Sequence, residues 1–176
     1  MERTHVLIGV FDSMKNTFST LEAFIKKFYQ DIGIYHPHQL DIESIAGRIG
    51  KNVNYYEGSS MYAFNQFFLN QDLIDSKLWE DFGHEMCHAL WHSGNQRLLF
   101  PSFIQYQEWR ANNFMYEFCV PEFMLRKFMS EPEDHPINII IENFRVSPEF
   151  ARIRYERYMM KLYHQQLDVA FQTQFK

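Results

Sequence analysis

An α+β fold is predicted for this chain from two observations. Apolar residues recur at helical spacing over most of its length, and the stretch that departs from that spacing, Val53 to Leu69, breaks into short runs around turn residues. A length of 176 residues agrees with one globular domain, and 46% hydrophobic and 18% aromatic residues are ample to build its core.

In chain order, Ser19-Thr20-Leu21-Glu22 fits a capping box, and Leu21, Phe24, Ile25, Phe28, Tyr29 and Ile32 follow at helical spacing up to Gly33. A shorter helix from about Leu40 to Ile49 sets Ile42, Ile45, Ala46 and Ile49 on one face and stops at Gly50. Val53 to Tyr56, Met61 to Phe64 and Gln66 to Leu69 read as strands of a small antiparallel sheet packed on the helices, with a turn at Glu57-Gly58-Ser59-Ser60. From Asp75 or Ser76 the helical pattern returns with Leu78, Trp79, Phe82, Met86, Ala89 and Leu90, and Ser93-Gly94-Asn95 ends it. The next helix runs from roughly Phe103 to Cys119, and Pro121 permits a further turn to about Met129. Glu131-Pro132-Glu133-Asp134-His135-Pro136 reads as a linker, followed by a helix over Ile137 to Phe144 and a long helix opened by Pro148. The expected organisation is a domain over 1–130 that includes the N-terminal helix, with a helical segment over 137–176 packed on it.

A net charge of −5 argues against a protein whose main task is to coat nucleic acid or an anionic membrane, since both need a strong positive field. Two cysteines, Cys87 and Cys119, are too few for a disulfide framework. The apolar run Val6 to Phe11 is too short for a signal peptide or a membrane span, so the expected compartment is a reducing cytoplasm.

The chemistry lies in His84-Glu85-Met86-Cys87-His88, a His-Glu-x-x-His sequence inside a predicted helix. At 3.6 residues per turn, His84 and His88 project from one face one turn apart and can reach a single metal ion. Glu85 lies beside them, where a carboxylate can act as a base on water without binding the metal. Hydrolytic zinc sites use three protein ligands, and Glu108 can return as the third from an antiparallel neighbouring helix. His92 extends the histidine stripe but sits about 12 Å along the helix from His84, too far to share the ion. Cys87 points roughly 60° off the two-histidine face and is better read as packing.

Phe82-Gly83-His84-Glu85-Met86-Cys87-His88-Ala89-Leu90-Trp91-His92, with Glu108-Trp109-Arg110-Ala111-Asn112-Asn113-Phe114 and Pro121, resembles the ImmA/IrrE metallopeptidase family. Asn143-Phe144-Arg145-Val146-Ser147 and Arg154 are similar to that family's terminal segment, so the resemblance spans about Leu40 to Tyr158. It implies a zincin-like metallopeptidase domain binding one zinc ion per chain through His84, His88 and Glu108, with Glu85 as catalytic base and Asn112 supporting the ligands. It also implies a substrate among helix-turn-helix repressors of prophages or mobile elements. The family pattern has Gly where this chain has Cys87, and a larger side chain there is expected to crowd the crossing of the two helices.

Proteolysis would need a group to stabilise the oxyanion, and Tyr106, His135, His92 and Arg110 are all candidates. Arg152, Arg154 and Arg157 on the last helix are candidates for gripping the protein partner. A competing reading takes Ile139 to Ile153 as a helix-turn-helix whose basic face, with Arg145, Arg152, Arg154, Arg157 and Lys161, binds DNA. Two packing helices with a solvated basic side account for the same pattern, and the acidic whole favours them. A third reading is a zincin scaffold that binds metal and partner without turnover.

Overall fold

The computed structural model describes residues 19–91, 100–129 and 135–174. His92, the stop at Ser93 to Asn95, the Glu131–Asp134 linker and the Val6 to Phe11 run lie outside the described residues. Helix α1 (Thr20–Asp31) opens on the expected capping box: Ser19 Oγ accepts from Glu22 N at 3.2 Å, and the Glu22 carboxylate accepts from Ser19 N at 2.5 Å. A 3₁₀ turn (Pro37–Gln39) leads into α2 (Ile42–Arg48), whose N-cap Asp41 accepts from Ser44 N. The stops at Gly33 and Gly50 both fall at positive φ, 71° and 70°, the left-handed conformation that ends a helix most cheaply at glycine.

The sheet comprises β1 (Asn52–Tyr56), β2 (Met61–Ala63) and β3 (Gln66–Asn70) in the order β1-β3-β2. β2 and β3 form the expected antiparallel hairpin, but β1 pairs with β3 in parallel, so the sheet is mixed rather than antiparallel. The expected strand end at Phe64 is also revised, because Phe64 and Asn65 form the hairpin turn with φ of 51° and 65°. Only β3 is buried along its length at alternate positions, Phe67 and Leu69, and these meet the helices.

Helices α3 (Asp75–Trp91) and α4 (Pro101–Cys119) form the central antiparallel pair. Trp79, Phe82, Phe114 and Phe118 are buried between them, with ring centroids 4.9 to 6.0 Å apart when Phe67 of β3 is included. The two helices approach closely at Gly83. A Cβ there would collide with Cys119 Sγ and would stand 3.4 Å from Phe118 Cδ1 and 3.5 Å from Met115 Cγ. Cys87, where crowding was expected, also faces α4, with Arg110 and Glu108 as its charged neighbours. Cys87 is fully buried, and burial pushes its thiol up to about 12, so it packs as a neutral, unreactive side chain.

Short α5 (Glu122–Leu125), then α6 (Pro136–Phe144) and α7 (Pro148–Gln174), complete the chain. Arg145 ends α6 in the left-handed conformation, φ 56°. Phe144, Phe150, Tyr158 and Leu162 join the same core as α1, α3 and α4. The start of α7 is tied to α3, because Glu80 accepts from Ser147 N at 2.7 Å and from Lys77 Nζ at 2.8 Å. No helix among the described residues is long and apolar enough to cross a membrane.

Gly83→Ala is expected to destabilise the fold by about 1 to 3 kcal/mol through overpacking, and adding Cys119→Ala should return much of that loss. Denaturant midpoints of the two single variants and the double variant measure the coupling; purely additive effects would place the tight contact elsewhere.

Candidate metal centre

The Gly83 crossing sets the register in which one turn of α3 faces one turn of α4. His84 and His88, one turn apart on α3, bring their Nε2 atoms to 3.1 Å from each other. Glu108 on α4 completes the cluster, with Oε2 at 3.2 Å from His84 Nε2 and Oε1 at 3.6 Å from His88 Nε2. Bonds of about 2.0 to 2.1 Å to one tetrahedral ion would hold ligand atoms about 3.3 Å apart, so these three separations fit a shared cation. The tautomers fit as well: Asn112 Oδ1 lies 3.2 Å from His84 Nδ1, and a carbonyl acceptor there places the ring proton on Nδ1 and leaves the Nε2 lone pair for a metal.

Glu85 sits on the adjoining side of the same turn, its residue only 9% exposed, and His84, Glu85 and His88 each offer a ligand-type atom within 4.8 Å of the others. Its Oε2 accepts from the main-chain N–H of Tyr62 on β2 at 2.7 Å. Burial pushes the Glu85 carboxyl up to about 8. The charges of Glu108 and Asp81 add to the rise, while the Tyr62 N–H opposes it. A bound cation would oppose that rise and favour the charged form, the one able to accept a proton from water.

The other expected residues are dispersed. Arg110 lies over the rings of Trp91 and Tyr106, at 4.9 and 5.9 Å from their centroids, and His135 is exposed at the start of α6. Arg157 is exposed and donates to Asn113 Oδ1 at 2.9 Å, one residue from Asn112, with its guanidinium 4.2 Å from the Tyr116 centroid. Arg152 is exposed and paired with Glu156 at 2.9 Å. Arg154 is the correction: it is 1% exposed, bonded to Glu117 at 2.7 Å and to the Val120 carbonyl at 3.0 Å, so it faces the core and cannot meet a partner. Lys161 likewise turns inward to Glu22 and Glu122, which removes two of the five cations from the expected basic face. Sequence reasoning missed the Tyr62 N–H, since a backbone group has no residue signature, and Gly83, whose signal was a glycine inside a helix otherwise rich in large side chains.

A mixed α+β domain in which a His-Glu-x-x-His helix faces a helix whose carboxylate lies within reach of both histidines has the organisation of a zincin-like metallopeptidase domain. The peptidase M78 family model, described as an IrrE N-terminal-like domain, matches residues 39–156, and the chain belongs to that family. It is similar to the phage-like element PBSX protein XkdA of Bacillus subtilis (strain 168), with 37% identity over 150 residues, covering 82% of this chain and 76% of that protein. It is also similar to the uncharacterized protein YqaB of the same strain, with 32% identity over 155 residues, covering 85% and 90%.

Two outcomes follow from this geometry. Elemental analysis of purified protein should find about one metal ion per chain, lost in His88→Ala, because two remaining ligands hold a cation poorly; full occupancy in that variant would exclude the site. Arg154→Leu should cost about 3 to 5 kcal/mol by leaving the Glu117 carboxylate buried without its partner, and Arg154→Leu with Glu117→Leu should restore most of it. Thermal or denaturant unfolding distinguishes these from a surface role, which would leave stability unchanged.

Proposed function

We propose that the chain is a zinc-dependent endopeptidase that hydrolyses a peptide bond in one specific cytoplasmic protein, a helix-turn-helix repressor of a prophage or mobile element. The observation that carries this reading is the convergence of His84, His88 and Glu108 at tetrahedral separations with a buried carboxylate, Glu85, beside them. When bound, a zinc ion supplies Lewis acidity to the scissile carbonyl and to water. Glu85 takes a proton from the attacking water, the water oxygen joins the carbonyl carbon, and Glu85 passes the proton to the amide nitrogen as the C–N bond breaks. The Tyr62 N–H holds the Glu85 carboxylate in place before and after the transfer. His84 keeps its Nδ1 proton on Asn112, which supports Asn112 as the residue that fixes that ligand's orientation.

The prophage context is supported by likeness to a protein whose name assigns it to a phage-like element. Narrow specificity suits a compact peptidase in the cytoplasm, where indiscriminate hydrolysis would damage the host. Arg152 and Arg157 are exposed on α7 and are the arginines that would grip a partner; Arg157 is bonded to Asn113, one residue from Asn112. A DNA-reading role for this helix is weakened by the inward turn of Arg154 and Lys161.

Glu85→Gln should retain metal and fold yet lose proteolysis by at least roughly a hundredfold, since the amide cannot accept the proton. The test is co-expression with the repressor encoded beside the gene, with fragments read by mass spectrometry. Comparable cleavage by the variant would reject Glu85 as base, and an intact repressor with zinc-loaded wild type would reject the repressor as substrate.

A further inference from the structure

The tip of the β2–β3 hairpin carries a residue that the fold does not require. Phe64 is 89% exposed, the most exposed large apolar side chain among the described residues. Its φ of 51° lies in the left-handed region, where a bulky aromatic is disfavoured and Asn or Gly sits readily. The next residue, Asn65 at φ 65°, is of the type such a turn favours. Nor is the tip loose: Asn65 Oδ1 accepts from Tyr62 Oη at 3.0 Å and from Lys51 Nζ, and Lys51 lies 5.7 Å from the Tyr62 ring centroid. An aromatic side chain is thus held in solvent at a conformational cost that no packing contact offsets.

Its position connects it to the candidate centre. Phe64 lies two residues beyond Tyr62, about 7 Å along an extended chain, and Tyr62 N–H is bonded to Glu85. β2 is an edge strand, and because Tyr62 N–H turns to Glu85, the Tyr62↔Phe67 pair is a non-hydrogen-bonded one. The Tyr62 carbonyl then also points away from β3 and can accept from an extended peptide laid along the exposed edge of β2.

Resting on the peptidase reading above, we propose that Phe64 is a specificity-determining residue: it meets an apolar side chain of the protein substrate two or three residues from the scissile bond. The occupant is the substrate's own extended segment, and its chemistry at that position is aliphatic or aromatic. Met61, 44% exposed on the same strand, extends the apolar surface on the other side of Tyr62.

The experiment compares zinc-loaded wild type, Phe64→Leu and Phe64→Asn on the repressor itself and on variants of it randomised one position at a time around its cleavage site, with cleavage read by mass spectrometry and melting curves recorded in parallel. The wild type should prefer apolar over polar residues at one position within three of the scissile bond. That preference should fall about tenfold in Phe64→Asn and persist in Phe64→Leu, with other positions unmoved. Phe64→Asn should melt at the same temperature or higher, because Asn relieves the backbone. An unchanged profile in Phe64→Asn, or an equal loss on every sequence, overturns the proposal while leaving the peptidase reading intact. No cleavage by zinc-loaded wild type removes that reading and this proposal with it.

Discussion

The close crossing of α3 and α4 at Gly83 is the constraint on which the rest of the structure depends. Without a side chain at that position the two helices approach until Cys119 fills the gap, and the aromatic cluster of Trp79, Phe82, Phe114 and Phe118 locks their rotation. His84 follows Gly83 directly, so the same contact that sets the helix spacing also sets the distance from His84 to Glu108 and Asn112. His84, His88 and Glu108 therefore stand on rigid elements rather than on loops, as a site that must hold atoms to within about half an ångström requires.

A second layer of order is electrostatic. Glu22 of α1, Glu117 of α4 and Glu122 of α5 meet Arg126, Arg154 and Lys161, the last two from α7. Burial raises Glu22, but hydrogen bonds from Glu122 and Lys161 overcome it and hold the carboxyl at about 2. Burial and the hydrogen bond to Glu22 push Glu122 upward. Such buried charges add little net stability over apolar packing, but each leaves a costly orphan if its partner is misplaced. Their contribution is to admit one arrangement of α1, α4, α5 and α7 and penalise others.

Much of this was legible in the sequence because helices and metal motifs are local. The capping box at Ser19, the stops at Gly33 and Gly50 and the Pro148 start each depend on residues within one turn, and these appear where expected. The pairing of histidines follows from helical pitch alone. Strand pairing does not: alternation identifies a strand but not its neighbour, and a parallel β1–β3 pair whose connection contains β2 itself is decided by burial of Phe67 and Leu69. Arg154 misled because a charge was assigned to solvent, although it falls on the same stripe as Ala151, Tyr158 and Leu162. The bond between Tyr62 N–H and Glu85 lay beyond any reading of side chains.

The link between Arg154 and Glu117 has a consequence for the order of synthesis. Glu117 lies on the helix that carries Glu108, and its counter-charge comes from a helix made later. While a nascent chain lacks α7, closing the core around α4 would bury that carboxylate without a cation, and Glu80 would lack the Ser147 N–H it receives at 2.7 Å. The turn bearing His84 and His88 is thereby coupled to the last long helix, and a nascent chain is disfavoured from closing this core before α7 has emerged.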